Sequence, residues 1–249
     1  MKKLILLSFI ILKVFGQTFS AITPNPKLSD GKTVYTSKGN AAYLVDNKFN
    51  TSSWLSAVDS WIAIPVDSGT SKIFFNWNCP YYAWSNELSP SNCPNSNAYP
   101  IDYDLLVSAN STNGADGDWT IADSIRGNIV CSRGHLVNFS GSKWVKMHII
   151  KGKGQIDEIQ VYNVSNGGED TWLFAGTSIT ANTFKGTPPA KNYADLITGK
   201  HPAYAPAIIR GGIGCISSTD FVKNLSSYLK MAGNAHYWAI EMGTNDAWG

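Results

Sequence analysis

Ser165-Asn166-Gly167-Gly168-Glu169-Asp170 is a short polar run, and the pattern of the chain differs on its two sides. Polar clusters with consecutive glycines read as connectors. Just before it stands Gln155-Ile156-Asp157-Glu158-Ile159-Gln160-Val161-Tyr162, where Ile159 and Val161 alternate with Glu158 and Gln160. Similar short runs lie upstream: Trp61-Ile62-Ala63-Ile64-Pro65-Val66, Lys72-Ile73-Phe74-Phe75-Asn76-Trp77, Tyr103-Asp104-Leu105-Leu106-Val107-Ser108 and Trp144-Val145-Lys146-Met147-His148-Ile149. Turn residues separate them. Period two in short runs predicts an all-β sandwich.

After the connector the period changes. Trp172-Leu173-Phe174-Ala175 is a continuous apolar strand. A helix is predicted over 190–197, stopping at Gly199, and a second strand at Ala207-Ile208-Ile209. Ser217 with Asp220 forms a capping-box pattern. Phe221, Val222, Leu225, Tyr228 and Leu229 then share one helical face up to Gly233. A third strand covers 237–242. Alternating strands and helices, with apolar strands, predict a parallel sheet flanked by helices.

The 249 residues are 43% hydrophobic and 15% charged, a balance that excludes a disordered tail. Twenty basic against eighteen acidic residues leave a net charge of +2, without the basic face of a nucleic-acid binder. Lys2 and Lys3 precede an apolar run over 4–12, too short to span a bilayer and read as a signal peptide cleaved after Gly16 or Ala21. No membrane span is predicted. The organisation read from the sequence is a leader at 1–21, a sandwich at 22–164, a connector at 165–170 and an α/β unit at 171–249. The protein is expected to be secreted, periplasmic or on the cell surface. Export permits disulfides among Cys79, Cys93, Cys131 and Cys215, whose three pairings sequence does not separate. Cys79 and Cys93 flank a Pro- and Tyr-rich loop and are the favoured pair, with Cys215 a buried thiol.

Asn40-Ala41-Ala42-Tyr43-Leu44-Val45-Asp46-Asn47, then Thr51 and Trp54, resembles the opening of discoidin-like (coagulation-factor C-type) domains. Trp61 to Asp67, Tyr103 to Ser108 followed by Trp119, and Lys143-Trp144-Val145-Lys146 with 156–162 resemble their later strands in order. The resemblance covers about residues 28–163. It implies a jelly-roll sandwich of the galactose-binding type, with loops that bind glycans in some members. Trp54, Trp61, Trp119 and Trp144 read as core anchors. Tyr81, Tyr82 and Trp84 lie in the 79–93 loop, either as a sugar-stacking platform or packed on their own sandwich or on the second domain. The resemblance also implies a structural calcium near the turn at Asp46, Asn50 and Thr51, which offer oxygen ligands. An ordinary Asx turn is the alternative reading.

Gly176-Thr177-Ser178-Ile179-Thr180, Gly211-Gly212-Ile213-Gly214 and Gly243-Thr244-Asn245-Asp246 end the three strands of the second unit. A serine hydroxyl attacking an ester needs donors already aimed at the oxyanion, which a glycine turn and an amide supply. Ser178, Gly214 and Asn245 fit nucleophile, backbone donor and amide donor; the glycine block, Gly211 to Cys215, reads in two registers, the other of which makes Cys215 the backbone donor. The three blocks resemble the SGNH (GDSL-type) hydrolase superfamily. The resemblance implies a flavodoxin-like α/β/α fold and cofactor-free hydrolysis of an acyl ester, such as O-acetyl on a polysaccharide. Thr177 departs from the family's Asp. The Asp-x-x-His block is expected beyond Asp246, whereas His135, His148, His201 and His236 all precede it and the chain ends three residues later. The reading is therefore a C-terminally incomplete SGNH domain with negligible esterase activity, joined by a flexible connector to a sandwich stable by itself. The competing reading is a non-catalytic carbohydrate-binding or adhesion protein with a degenerate second half.

Overall fold

Alternation along Lys72–Asn78 sends Ile73, Phe75 and Trp77 to one side of a strand and Phe74, Asn76 and Asn78 to the other, and all six side chains are buried. A strand without a solvent face must lie between two layers. The computed structural model describes residues 25–39, 41–49, 54–55, 58–66, 69–79, 99–152, 155–167, 170–184, 191–201 and 206–248.

The first layer and this strand make the sandwich. Its strands are β1 (Tyr35–Thr36), β2 (Trp54–Leu55), β3 (Ser60–Pro65), β4 (Lys72–Asn78), β5 (Pro100–Ser108), β6 (Thr120–Ile125), β7 (Ser132–Asn138), β8 (Trp144–Gly152), β9 (Gln155–Ile156) and β10 (Glu158–Asn163). One antiparallel sheet runs β1-β3-β8-β5-β6 and the facing one β10-β4-β7, with β2 paired to β9. Ile73, Phe75 and Trp77 meet Tyr103, Leu105, Val145, Met147 and Val161 between the sheets. A polar clasp crosses this core. Trp77 Nε1 donates to Tyr103 Oη (3.1 Å), Tyr103 Oη lies 2.9 Å from His135 Nε2, and His135 Nδ1 lies 2.8 Å from Asp123 Oδ2. Burial pulls the His135 pKa down against the opposing pull of Asp123, which favours the neutral ring.

Of the tryptophans expected as core anchors, Trp144 is buried, while Trp61 and Trp119 are half-buried. Trp61, Trp119 and Trp144 belong to the outward side of the five-stranded sheet or the loop over it. There Lys146 Nζ lies 3.7 Å from the Trp119 ring centre and 4.9 Å from that of Trp61, and Tyr35 meets Trp144 edge-on. Burial brings the Lys146 ammonium down to about 8. The tryptophan of the inner core is Trp77. The Trp54 side chain lies outside the described residues.

The second layer is built by 171–248. Strands β11 (Thr171–Gly176), β12 (Ala207–Gly212) and β13 (Tyr237–Glu241) are parallel in the order β12-β11-β13. Helices α1 (Ser178–Thr183), α2 (Tyr193–Lys200), α3 (Ser218–Lys223) and α4 (Leu225–Ala232) lie between them. The Ser217/Asp220 capping box forms with both reciprocal bonds. The apolar face predicted from Phe221 to Leu229 does not run through. The chain breaks at Asn224 between α3 and α4, so Tyr228 is buried while Val222 and Leu229 are 69% and 56% exposed.

The two layers share their apolar clusters. Phe74, Tyr162 and Val164 of the sandwich pack with Leu173, Ile209, Tyr228 and Met231. On the other side of the parallel sheet, Phe49 packs with Phe174, Phe184, Ala194 and Ile208. The second half thus covers a sandwich face that the sequence reading left to stand by itself. A Cβ at Gly233, which has φ +55°, would lie 2.3 Å from the Gly134 carbonyl oxygen of β7, so α4 ends in glycine-against-glycine contact.

Strand β12 is an edge strand that meets β4 side-on. Asn78 Oδ1 accepts the Arg210 N–H at 3.1 Å, and Asn76 Nδ2 donates to the Ile208 carbonyl. Arg210 also reaches across, with Nη1 2.8 Å from Asp157 Oδ2 and 2.9 Å from the Phe49 carbonyl. Both members of this ion pair are buried. Burial pushes the Asp157 carboxyl up to about 7, and Arg210 pulls the other way.

Cysteine pairing also differs from the expectation. Cys79 and Cys131 are thiols, whereas Cys215, exposed and at φ +63°, is disulfide-bonded. Cys93 lies outside the described residues.

Asn78→Leu keeps the volume at this junction but leaves the buried Arg210 N–H without its acceptor. Urea denaturation is expected to show a loss of about 1–3 kcal/mol. An unchanged midpoint would show that the edge of β12 does not depend on Asn78.

Candidate functional site

Two places gather polar chemistry. The first is the carboxyl end of the parallel sheet. Gly176 is level with Gly212 and Glu241, so the segments after the three strands leave at one end. Helix α1 crosses this end closely, and a Cβ at Gly212 would lie 2.4 Å from the Ala181 nitrogen. Thr177 is the N-cap of α1, and its Oγ1 accepts the Ile179 N–H. Its own N–H and hydroxyl donate to Glu241 Oε2 at 3.1 and 2.8 Å, and the Thr180 hydroxyl adds a third bond at 3.1 Å. Burial works against ionisation of Glu241, but these hydrogen bonds outweigh it and hold the carboxyl below its ordinary pKa. Glu241 is outside the residues that the sequence pattern marks. Its signal was a carboxylate at the end of an apolar strand, directly before Met242-Gly243.

Ser178 opens α1 half-buried, next to buried Thr177. Gly214 is buried in the turn after β12. Asn245 Nδ2 donates to the Ile216 carbonyl at 2.7 Å, and Asp246 accepts from the Ser218 N–H at 2.9 Å. The Gly243–Asp246 block is therefore tied to the glycine turn. His236 lies at the other end of β11, 3.1 Å from the Thr171 hydroxyl.

The second place is a cleft of about 470 Å³ between the sandwich and α2. Asn25, Lys27, Asn47, Phe49, Gln160 and Tyr162 line it from the sandwich; Asn192, Asp195, Thr198 and Ile208 line it from the second half. Asn25 is 7% exposed, and its Nδ2 has no hydrogen-bond partner among the described residues. Gln160 Oε1 accepts from Tyr162 Oη at 3.1 Å and from Asn76 Nδ2 at 3.3 Å, which fixes its amide. Asn192 and Asp195 are fixed by capping α2 reciprocally.

The rim of the cleft includes the turn proposed for calcium. Asp46 Oδ1 accepts the Lys48 N–H at 2.9 Å, closing an Asx turn, and Asn47 follows at φ +62°. Lys27 Nζ bridges Asp30 Oδ1, 3.1 Å away, and Asn47 Oδ1. Asn50 and Thr51 lie outside the described residues, as do Tyr81, Tyr82 and Trp84 of the predicted sugar platform. Among the described residues, no group of three or more His, Cys, Asp and Glu side chains could hold a metal ion.

No family model matches the sequence, and no curated protein matches it. Solved structures do match. The family 32 carbohydrate-binding module of Streptococcus pneumoniae EndoD is 15% identical with a TM-score of 0.39, over 55% of this chain and 99% of that one. Chitosan-binding module 1 of a Paenibacillus sp. IK-5 chitosanase/glucanase is 20% identical with a TM-score of 0.38, over 55% and 98%. A Clostridium perfringens module, CpGH89CBM32-5, solved with GalNAc-β-1,3-galactose, is 18% identical with a TM-score of 0.37, over 55% and 99%. The likeness concerns fold alone. No helix among the described residues is long and apolar enough to cross a membrane.

Glu158, behind the turn, gives a pH test. Burial pushes its carboxyl up to about 9; Lys27 opposes this, and Asp46 and Asp157 add to it. The folded protein keeps this proton while the unfolded chain releases it near 4.5. Stability from this group is therefore present below about 4.5 and is lost as pH rises towards 9. Glu158→Gln is expected to raise the melting temperature at pH 8.5 by at least ~2–4 °C, the shift that roughly 1 kcal/mol gives at this size. It should have little effect at pH 4. A variant equally displaced at both pH values would show that Glu158 is not the titrating group.

Proposed function

We propose that the protein binds carbohydrate and that the cleft between the sandwich and α2 receives it. The buried Asn25 Nδ2, lining the cleft with no partner among the described residues, carries the reading. A buried N–H donor left unmade costs about 1–3 kcal/mol, and a ligand oxygen would recover it. A sugar ring offers hydroxyls at its edge and C–H groups on its face. Amides of Asn25 and Gln160, the Asp195 carboxylate and the Thr198 hydroxyl suit the edge, and Phe49 suits the face. Lys27 is already paired with Asp30, which favours a neutral glycan over an anionic one.

The test is affinity electrophoresis in gels containing chitosan, galactan, pectin or xylan. At least one gel is expected to retard the protein. Asn25→Ala and Thr198→Trp, which remove the donor and block the cleft from exposed α2, should weaken retardation about tenfold or more with the melting temperature kept. Retardation unchanged by both variants would move the site out of the cleft, and no retardation in any gel would reject carbohydrate binding.

A second reading has its own observation. The register of the parallel sheet leads to buried Gly214 and half-buried Ser178 and Asn245 in the segments at one end of it. In this reading Ser178 Oγ attacks an acyl ester, such as O-acetyl on a glycan. The glycine turn and the Asn245 amide, released from Ile216, receive the oxyanion. Serine also needs an adjacent base, and His236 is bonded to Thr171 at the far end of the sheet. With no base placed beside Ser178, any hydrolysis of an aryl acetate is expected to be slow, to vanish in Ser178→Ala and to fall further in Asn245→Ala. Turnover that survives Ser178→Ala, or no turnover by the unaltered protein, would leave binding as the function.

A further inference from the structure

Cys79 follows β4 and Cys131 precedes β7. The antiparallel register pairs Asn78 with Ser132, so one further step sets Cys79 opposite Cys131. The Cys79 N–H donates to the Cys131 carbonyl at 2.8 Å, which holds the register at this step. Directly opposite residues in a hydrogen-bonded antiparallel pair have Cα atoms about 5.5 Å apart, within the range of about 4.4–6.8 Å that a disulfide spans.

The side chains share a face as well as a position. Odd-numbered β4 residues point into the sandwich core. Cys79 joins Trp77 there at 2% exposure, and Cys131 packs against the same cluster. The Cys79 thiol is pushed well up by burial and then by neighbouring Cys131, so the two groups feel one another. Cys215 is already disulfide-bonded, and the sequence opens with a leader pattern. Both features suit a chain that folds in an oxidising compartment.

We propose that Cys79 and Cys131 form a cross-strand disulfide when the protein meets a disulfide oxidant. Cys131, the less buried, attacks as thiolate and expels one thiolate of the oxidant, giving a mixed disulfide. Cys79, deprotonated before the core closes over it, attacks the Cys131 sulfur and expels the second thiolate. One oxidant disulfide becomes two thiols, and two protein thiols become one S–S bond. The bond closes a long loop and fixes the ends of β4 and β7 together.

The test is peptide mapping of the full chain, refolded with oxidised and reduced glutathione, alkylated with iodoacetamide while denatured and digested without reductant. The expected product joins the peptides of Cys79 and Cys131 and is lighter than their sum by two hydrogens. Cys131→Ser should lose that product and lower the melting temperature of the oxidised protein by about 10 °C, while leaving the Cys215 linkage in place. Quantitative alkylation of both cysteines, or a peptide joining Cys79 to Cys93, would overturn the proposal. The map is made on the unaltered chain, so it decides the matter even if Cys131→Ser fails to fold.

Discussion

The molecule depends on two asparagines that finish the edge of a sheet to which they do not belong. An edge strand presents unpaired N–H and C=O groups, and burying them without partners is costly. Strand β12 is such an edge, buried against β4, and Asn76 and Asn78 meet its groups at Ile208 and Arg210. Their side chains do what a neighbouring strand would do. Once they do, the apolar residues on either side of β12 can close against the sandwich as two clusters.

A polar seam in a buried junction specifies geometry more than it adds stability. The Arg210–Asp157 pair loses hydration on both sides, so its net contribution is small or unfavourable against an apolar substitute. Removing one partner would leave the other charge stranded. The seam therefore favours one orientation of the second sheet over sliding alternatives. That orientation creates the cleft, because Phe49 and Gln160 come from one layer and Thr198 and Ile208 from the other.

Elements set by local pattern were legible in the sequence. The short alternating runs form strands, and the Ser217/Asp220 box caps a helix as its residue types require. What depends on the second layer was not legible. Asn76 and Asn78 look like the solvent side of an ordinary half-buried strand, and only tertiary contact turns that side into an interface. Tryptophans near strands read as core because ring area favours burial, yet Trp61 and Trp119 clasp Lys146 on the outer side. Cysteine pairing is not legible because closeness in sequence, as for Cys79 and Cys93, is not closeness in space. Ser178, Gly214 and Asn245 stand out in the sequence because strand ends are a local feature, whereas the cleft gathers residues 25, 49, 160 and 198, which no spacing connects.

The glycine-against-glycine contact between Gly134 and Gly233 bears on how such a chain can diversify. Multidomain proteins commonly evolve by exchanging cassettes, with a linker absorbing any mismatch in shape. Here a new sandwich would need a bare backbone at 134, two amides on its fourth strand and an acid at 157 before the second half could seat. Recombination at the connector would break all of these matches at once. A change on one side of this contact must therefore be answered on the other.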